Sequence, residues 1–551
     1  MTLTRMKLIP FLASLLLVAI GHAGATEPGG GPAPAQAGDS YTNPILFSDY
    51  SDPDVIRVGG DYWMTASSFT CYPGLQILHS TNLVDWEIVN AAVPYLEPAE
   101  EFDTPSHGNG IWAPCIRHHD GRFWIFWGDP DYGIFQIHAD DPRGEWSRPQ
   151  LVIAGKGLID PSPLWDDDGR VYLVHSWAGS RAGFKSVLSV CELDSACTRA
   201  ISDQILVFDG KKHGNETVEG PKFYKRDGWY YIFAPSGGVK EGWQLVLRSK
   251  NVYGPYEWRN VLHQGDTEIN GPHQGGWVTD VEGGDWFIHF QDKGPWGRIC
   301  HLQPMSWSDD GWCIMGEDID GDGIGEPVRK WKMPASDPGA RMFGGVSALA
   351  TTTRFTGTSI PLNWQWEANP KFWWYMPNPE LGCLRLNCIK NPEGWRNLRD
   401  TPNILAQKIV GPETEFTTRL VFRPSYAGDR TGIIVTGRDY GTIELYYDGT
   451  TVFLQRRDCI GAENGDPEKV SASEKLGESQ GKGKPEYTDI YIKVKVDGDC
   501  VCTFSWSPDG RRFRQFGPEF KAREGEWIGA KIGCFATAEI QKNDGGSVEV
   551  Y

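Results

Sequence analysis

The sequence predicts an all-β chain: a five-bladed β-propeller over residues 40–333, followed by a C-terminal β-sandwich over 334–551. Three observations predict it. A turn followed by an aromatic strand recurs five times between residues 50 and 315. Its spacing, roughly 50–60 residues, suits small sheets set around a channel. The chain carries 24 Trp and 66 Gly, a composition that favours strands joined by tight turns. From about Pro334 the period stops, while strand-like alternation continues.

At 551 residues the chain exceeds one ordinary domain, so two folded units are expected. Residues 1–25 read as a secretory signal: Arg5 and Lys7, an apolar run from Leu8 to Ile20, then Ala23-Gly24-Ala25. The apolar run falls short of the roughly 20 residues needed to span a bilayer. Residues 26–39 read as a Gly/Pro/Ala-rich linker. The expectation is a secreted or periplasmic protein. The formal net charge of −19 argues against nucleic acid or an anionic membrane as partner, and leaves a neutral glycan open.

The five repeats share one grammar. The aromatic strands are Tyr62-Trp63-Met64, Phe123-Trp124-Ile125, Val171-Tyr172-Leu173, Trp229-Tyr230-Tyr231 and Trp286-Phe287-Ile288. Each follows a Gly/Asp turn such as Asp120-Gly121 or Asp227-Gly228, residues that tolerate the positive φ of hairpins. A second strand-like run comes next, and four units approach a closing Trp: Trp86, Trp146, Trp258 and Trp312. In the second domain the strand-like runs include 416–422, 490–496 and 513–516, with no constellation that suggests chemistry. It reads as a support or binding module.

Twelve cysteines in an exported chain permit disulfides without demanding them. Cys191 and Cys197 are spaced to close a local loop, and Cys500 and Cys502 share a strand face. No C-x-x-C pair supports a zinc site.

The innermost strand of each blade lies nearest the channel. Asp52-Pro53, Asp160-Pro161 and Glu219-Gly220-Pro221 open that strand in units one, three and four. Trp112-Ala113-Pro114 and Gly271-Pro272-His273 take the same place in units two and five. Asp-Pro pairs are also ordinary turn residues. Three acidic side chains in register instead suggest paired carboxyls of different protonation state, as glycosidic bond hydrolysis requires.

The ordered set of segments resembles glycoside hydrolase family 43, with its β-xylosidases and α-L-arabinofuranosidases. The likeness runs through Asn43-Pro44-Ile45-Leu46, Ser51-Asp52-Pro53-Asp54, Tyr72-Pro73-Gly74-Leu75, His79-Ser80 and Ile111-Trp112-Ala113-Pro114. It continues through Ile159-Asp160-Pro161-Ser162, Val218-Glu219-Gly220-Pro221, Gly271-Pro272-His273-Gln274-Gly275-Gly276, Gly297-Arg298 and Leu302-Gln303-Pro304. The C-terminal part is similar to the sandwich appended to many β-xylosidase-like members.

The resemblance implies hydrolysis with inversion. Asp52 would be the general base, Glu219 the general acid, and Asp160 the residue that tunes and orients the acid. An inverting pair stands roughly 6.5–9.5 Å apart, with room for water between. Glu219 must stay protonated, and the charge of Asp160 would serve that end. The resemblance also makes Arg298 a sugar-hydroxyl ligand, Phe69 and Trp112 apolar walls, and His273 a histidine near the axis. Relatives often place a bulky aromatic where this chain has Cys71, so the smaller side chain is expected to reshape the pocket opening.

Asp318, Asp320, Asp322 and Glu326 form a candidate calcium loop, with oxygen ligands at alternate positions around Gly321. The chemistry itself needs no cofactor. Asn215-Glu216-Thr217 fits a glycosylation pattern, yet its nearness to Glu219 makes it part of the site loop. The reading that results is an exo-acting glycosidase releasing α-L-arabinofuranose or β-D-xylose from plant cell-wall glycans. An endo-arabinanase with an open groove, or a propeller that binds glycans without cutting them, are the alternatives.

Overall fold

The computed structural model describes residues 39–337, 339, 349, 352–478, 487–541 and 544–551, so the segment read as a signal and nearly all of that read as a linker lie outside the described residues. Five four-stranded antiparallel sheets follow one another along the chain. Their second strands are Asp61–Thr65, Arg122–Asp129, Val171–Trp177, Trp229–Ser236 and Asp285–Asp292. These hold the five aromatic runs read from the sequence. Each blade is built from consecutive residues, because short hairpins pair only near neighbours.

Aromatic strands serve the packing between blades. Trp63 and Ile77 of blade one meet Ile116, Ile125 and Trp127 of blade two in a single buried cluster. Equivalent clusters join blades two and three, three and four, and four and five. The ring closes between five and one through Tyr62, Met64, Ile288 and Leu302, with Tyr41, Ile45 and Leu46 added from the N-terminal segment. Asn43 secures that segment by donating to the carbonyls of Leu302 and Val328, each at 2.8 Å. Ser40–Thr42 also pairs with Lys330–Lys332, joining the two ends of the propeller.

The sandwich consists of two eight-stranded sheets with a common apolar core that includes Leu420, Phe422, Ile433, Val494 and Phe504. The two domains meet along a seam that combines backbone hydrogen bonds with an apolar contact, where Trp296 and Ile299 of blade five join the sandwich cluster. Tyr72 and Trp366 exchange backbone hydrogen bonds of 3.0 and 2.6 Å, and Gly411 donates to the Phe47 carbonyl at 2.7 Å. Gly529 lies so close to blade five that a Cβ there would stand 2.7 Å from the Gly297 nitrogen. That approach sets the sandwich loop 525–529 beside the mouth of the channel.

All twelve cysteines are free and buried. Cys191 and Cys197 therefore form no bridge; both belong to the apolar cluster between blades two and three. Cys71 faces away from the channel. Its sulfur accepts from Lys531 Nζ at 3.2 Å in the seam, where Lys531 also pairs with Glu367 at 2.5 Å. The smaller side chain thus shapes the domain contact and not the pocket opening.

Candidate active site

One backbone feature recurs at the axis. Asp52, Ala113, Asp160, Gly220 and Gln274 all adopt left-handed φ, between 37° and 57°. Each blade's inner strand is kinked at the same point, and the kink turns a side chain toward the channel. Such conformations cost of order 1–3 kcal/mol for a non-glycine residue and persist where the surroundings enforce them. In blade four the kinked position is Gly220, so the acid Glu219 stands one residue earlier. A Cβ at Gly220 would fall 2.5 Å from the Gln274 carboxamide carbon. In blade five the kink falls on Gln274, within the bulge between His273 and Gly275. Alignment on Pro272 places Gly271 with Asp52; the backbone kink instead matches Gln274 to Asp52 and His273 to Glu219.

The kinks bring Asp52, Asp160 and Glu219 onto one cavity of about 470 Å³. Phe69, Trp112 and Arg298 share its lining, as do Trp177, Lys185, Thr217 and Gln274. Asp52 is fixed from three sides. Its Oδ2 accepts from Ser67 at 2.5 Å and Ser51 at 3.1 Å, and its Oδ1 from Arg298 Nη1 at 3.2 Å. The Arg298 guanidinium also lies over the Phe290 ring, 4.8 Å from its centre. This arginine is a buried partner at the cavity wall, not a solvated surface charge.

Asp160 accepts from Ser176 Oγ at 2.6 Å and from the Gly220 amide at 2.8 Å. Both donors reach Oδ2, which leaves Oδ1 to carry a proton. Burial, reinforced by the charge of Glu219, pushes Asp160 up to about 7. The resemblance implied a negative charge on Asp160 beside a protonated Glu219. With its value raised to about 7, Asp160 itself holds a proton below that pH.

His273 does not line the cavity. It is fully buried behind the acid, with Nε2 3.1 Å from Glu219 Oε1. Its contact is with the carboxyl, so it stands behind the acid and not on the cavity lining where a substrate-binding role would put it.

Trp527 of the sandwich domain also lines the cavity. Its ring stands edge-on to Trp112, with centroids 6.3 Å apart, and Trp112 is edge-on to Phe69 at 6.4 Å. The Trp112 indole donates to the Gly108 carbonyl at 2.8 Å. Sequence reasoning missed Trp527, because nothing local distinguishes a loop tryptophan that reaches a site in another domain. Trp177 was missed too, although it closes an aromatic strand.

The acidic loop lies apart from the cavity. Carboxylate oxygens of Asp318, Asp320 and Asp322 come within 4.8 Å of one another. Glu326 is not among them: its carboxyl is turned under the loop against Gly265, because Glu317 and Glu326 pair by their backbones at the loop's base.

Two family models match the chain: glycosyl hydrolases family 43 over residues 41–313, and the beta xylosidase C-terminal concanavalin A-like domain over 352–550. A curated relative from Xylanibacter ruminicola is 35% identical over 508 residues, covering 91% of this chain and 87% of its own. The chain belongs to glycosyl hydrolase family 43. Another relative, the beta-xylosidase of Formosa agariphila, is 28% identical over 552 residues, covering 94% and 90% of the two chains. The fold is also that of a xylan beta-1,4-xylosidase from Bacillus halodurans: TM-score 0.79, 21% identity, 92% of this chain and 98% of that one. As a family 43 member the chain is a glycoside hydrolase of hemicellulose sugars, and its substrate is a carbohydrate.

Proposed function

We propose that the protein removes single pentose units, β-D-xylose or α-L-arabinofuranose, from the ends of hemicellulose-derived chains with inversion. The observation that carries this reading is that Asp52 and Glu219, from blades one and four, line one cavity with Asp160. Asp52 takes a proton from water as the water attacks the anomeric carbon. Glu219 gives a proton to the departing glycosidic oxygen. Asp160 shares that proton with Glu219, and His273 holds the carboxyl from behind. Arg298 keeps Asp52 in place and presents a guanidinium to a sugar hydroxyl. Phe69 and Trp112 flank the ring, while Trp527 and Trp177 flank the leaving group. The name of the Formosa agariphila relative favours xylose.

Hydrolysis of nitrophenyl β-xyloside and α-arabinofuranoside by wild type, Asp52→Ala and Glu219→Ala tests the reading. Activity in wild type and its collapse in both variants is the expected result. Full activity in both variants, or none in wild type over a broad panel of pentosides, would overturn it.

We infer export from the basic start and apolar run at residues 5–20. N-terminal sequencing of the protein from the native host would show removal of about the first 25 residues if that is right. We infer a structural Ca²⁺ at Asp318, Asp320 and Asp322, with water completing the shell. Chelation would then lower thermal stability without abolishing turnover.

A further inference from the structure

The segment between the second and third strands of blade three forms an arch over one side of the cavity mouth. It is held at both feet. Arg181 reaches back to blade two, with Nε and Nη2 each 3.2 Å from the Asp131 carboxylate and Nη2 2.8 Å from Asn109 Oδ1. Lys185 reaches forward, its Nζ donating to Thr217 Oγ1 at 3.0 Å beside Glu219. Between them the short helix Gly179–Ala182 sits directly on Gly157, where a Cβ would meet Ala182 at 2.7 Å. Gly183, at φ 80°, ends the helix and turns the chain outward.

The residue this arch displays is Phe184. Its ring rests on Trp177, with centroids 5.0 Å apart and planes at 42°, and 46% of the residue is exposed. Trp177 lines the cavity; Phe184 does not, so the second ring continues the aromatic wall outward from the mouth. An apolar ring kept exposed by two polar anchors is a preorganised stacking surface, since the ordering entropy is already spent in the free protein.

We propose that Phe184 forms a binding position for the second sugar beyond the scissile bond, making the enzyme prefer substrates of three or more units over disaccharides. The proposal rests on the exo-glycosidase reading: the terminal sugar fills the cavity floor by Asp52 and Arg298, so the rest of the chain must leave past the arch.

The test is the ratio of kcat/KM for trisaccharide to that for disaccharide, measured on both β-1,4-xylo- and α-1,5-arabino-oligosaccharides. In Phe184→Ala the ratio falls roughly fivefold, and Phe184→Trp restores it. A ratio unchanged in Phe184→Ala, or a loss equal on both chain lengths, would overturn the proposal and leave the glycosidase reading standing. Failure of the wild type to cleave either disaccharide series would instead remove that reading, and this proposal with it. Because Phe184 is half exposed, Phe184→Ser serves as a second variant with the same expected drop in ratio.

Discussion

His273 supports Glu219 from within the propeller: its Nε2 lies 3.1 Å from the carboxyl, and its imidazole is wholly buried. The only other acceptor or donor position, Nδ1, has no hydrogen-bond partner among the described residues. One bond therefore fixes the acid's direction. His273→Ala is expected to lower kcat roughly 100-fold while changing KM little, because a catalytic group misplaced by about 1 Å costs that much. The loss should be larger for xylobiose than for nitrophenyl xyloside, whose leaving group needs less protonation. Steady-state kinetics on the two substrates check this.

The buried Asp160 gives the site an alkaline limit. With its folded value raised to about 7 from the ordinary carboxylate range, Asp160 loses its proton as pH rises through about 7. Activity, followed as kcat/KM against pH, is expected to fall above that point.

The same shift predicts a stability change. Between the ordinary carboxylate range and about 7 the folded protein binds more protons at Asp160 than the unfolded chain, so stability declines as pH rises through this window. Asp160→Asn removes that contribution and should be the more stable protein at pH 8, by a few kcal/mol. At pH 4 the gain should vanish. Asp129, also buried and raised to about 7, keeps part of the slope in the variant. Thermal melts of both proteins across pH report the difference.

Trp527 brings the sandwich domain to the cavity wall. Its indole is 47% exposed and edge-on to Trp112, so truncation removes a pocket wall without opening a core. Trp527→Ala should raise KM by roughly tenfold, as expected for about 1.4 kcal/mol of lost aromatic contact. The melting temperature should stay within the range of an ordinary surface change. Kinetics and a melt on the one variant separate the two effects.

Gly220 occupies the kinked position that carries a carboxylate in blades one and three. Gly220→Ala places a methyl group 2.5 Å from the Gln274 side chain at φ 57°. A cost of about 1–3 kcal/mol is expected. Urea unfolding measures it, and a loss of activity should accompany it because Glu219 is the adjacent residue.

The blades were legible because each is local: turn and aromatic strand follow within one repeat, as in 120–125 or 227–231, and four of the five approach a closing Trp. The acid cluster was legible for the same reason, since Asp52, Asp160 and Glu219 each mark the start of an inner strand. The exact register was not. Proline position aligned Gly271 with Asp52, whereas the left-handed kink, set by backbone conformation, falls on Gln274. Contacts across the domain seam left no local trace either. Cys71 turns to Lys531 and Trp527 turns to Trp112, over sequence separations that no repeat encodes. Glu326 fitted an alternating ligand pattern, but backbone pairing with Glu317 withdrew it from the loop.

The water-between-carboxyls mechanism is tested most directly by proton NMR of the sugar first released from a β-xyloside or α-arabinofuranoside, recorded before mutarotation. Appearance of α-xylose, or of β-arabinofuranose, is the expected outcome. A first product that keeps the anomeric configuration of its substrate would contradict the roles given to Asp52 and Glu219.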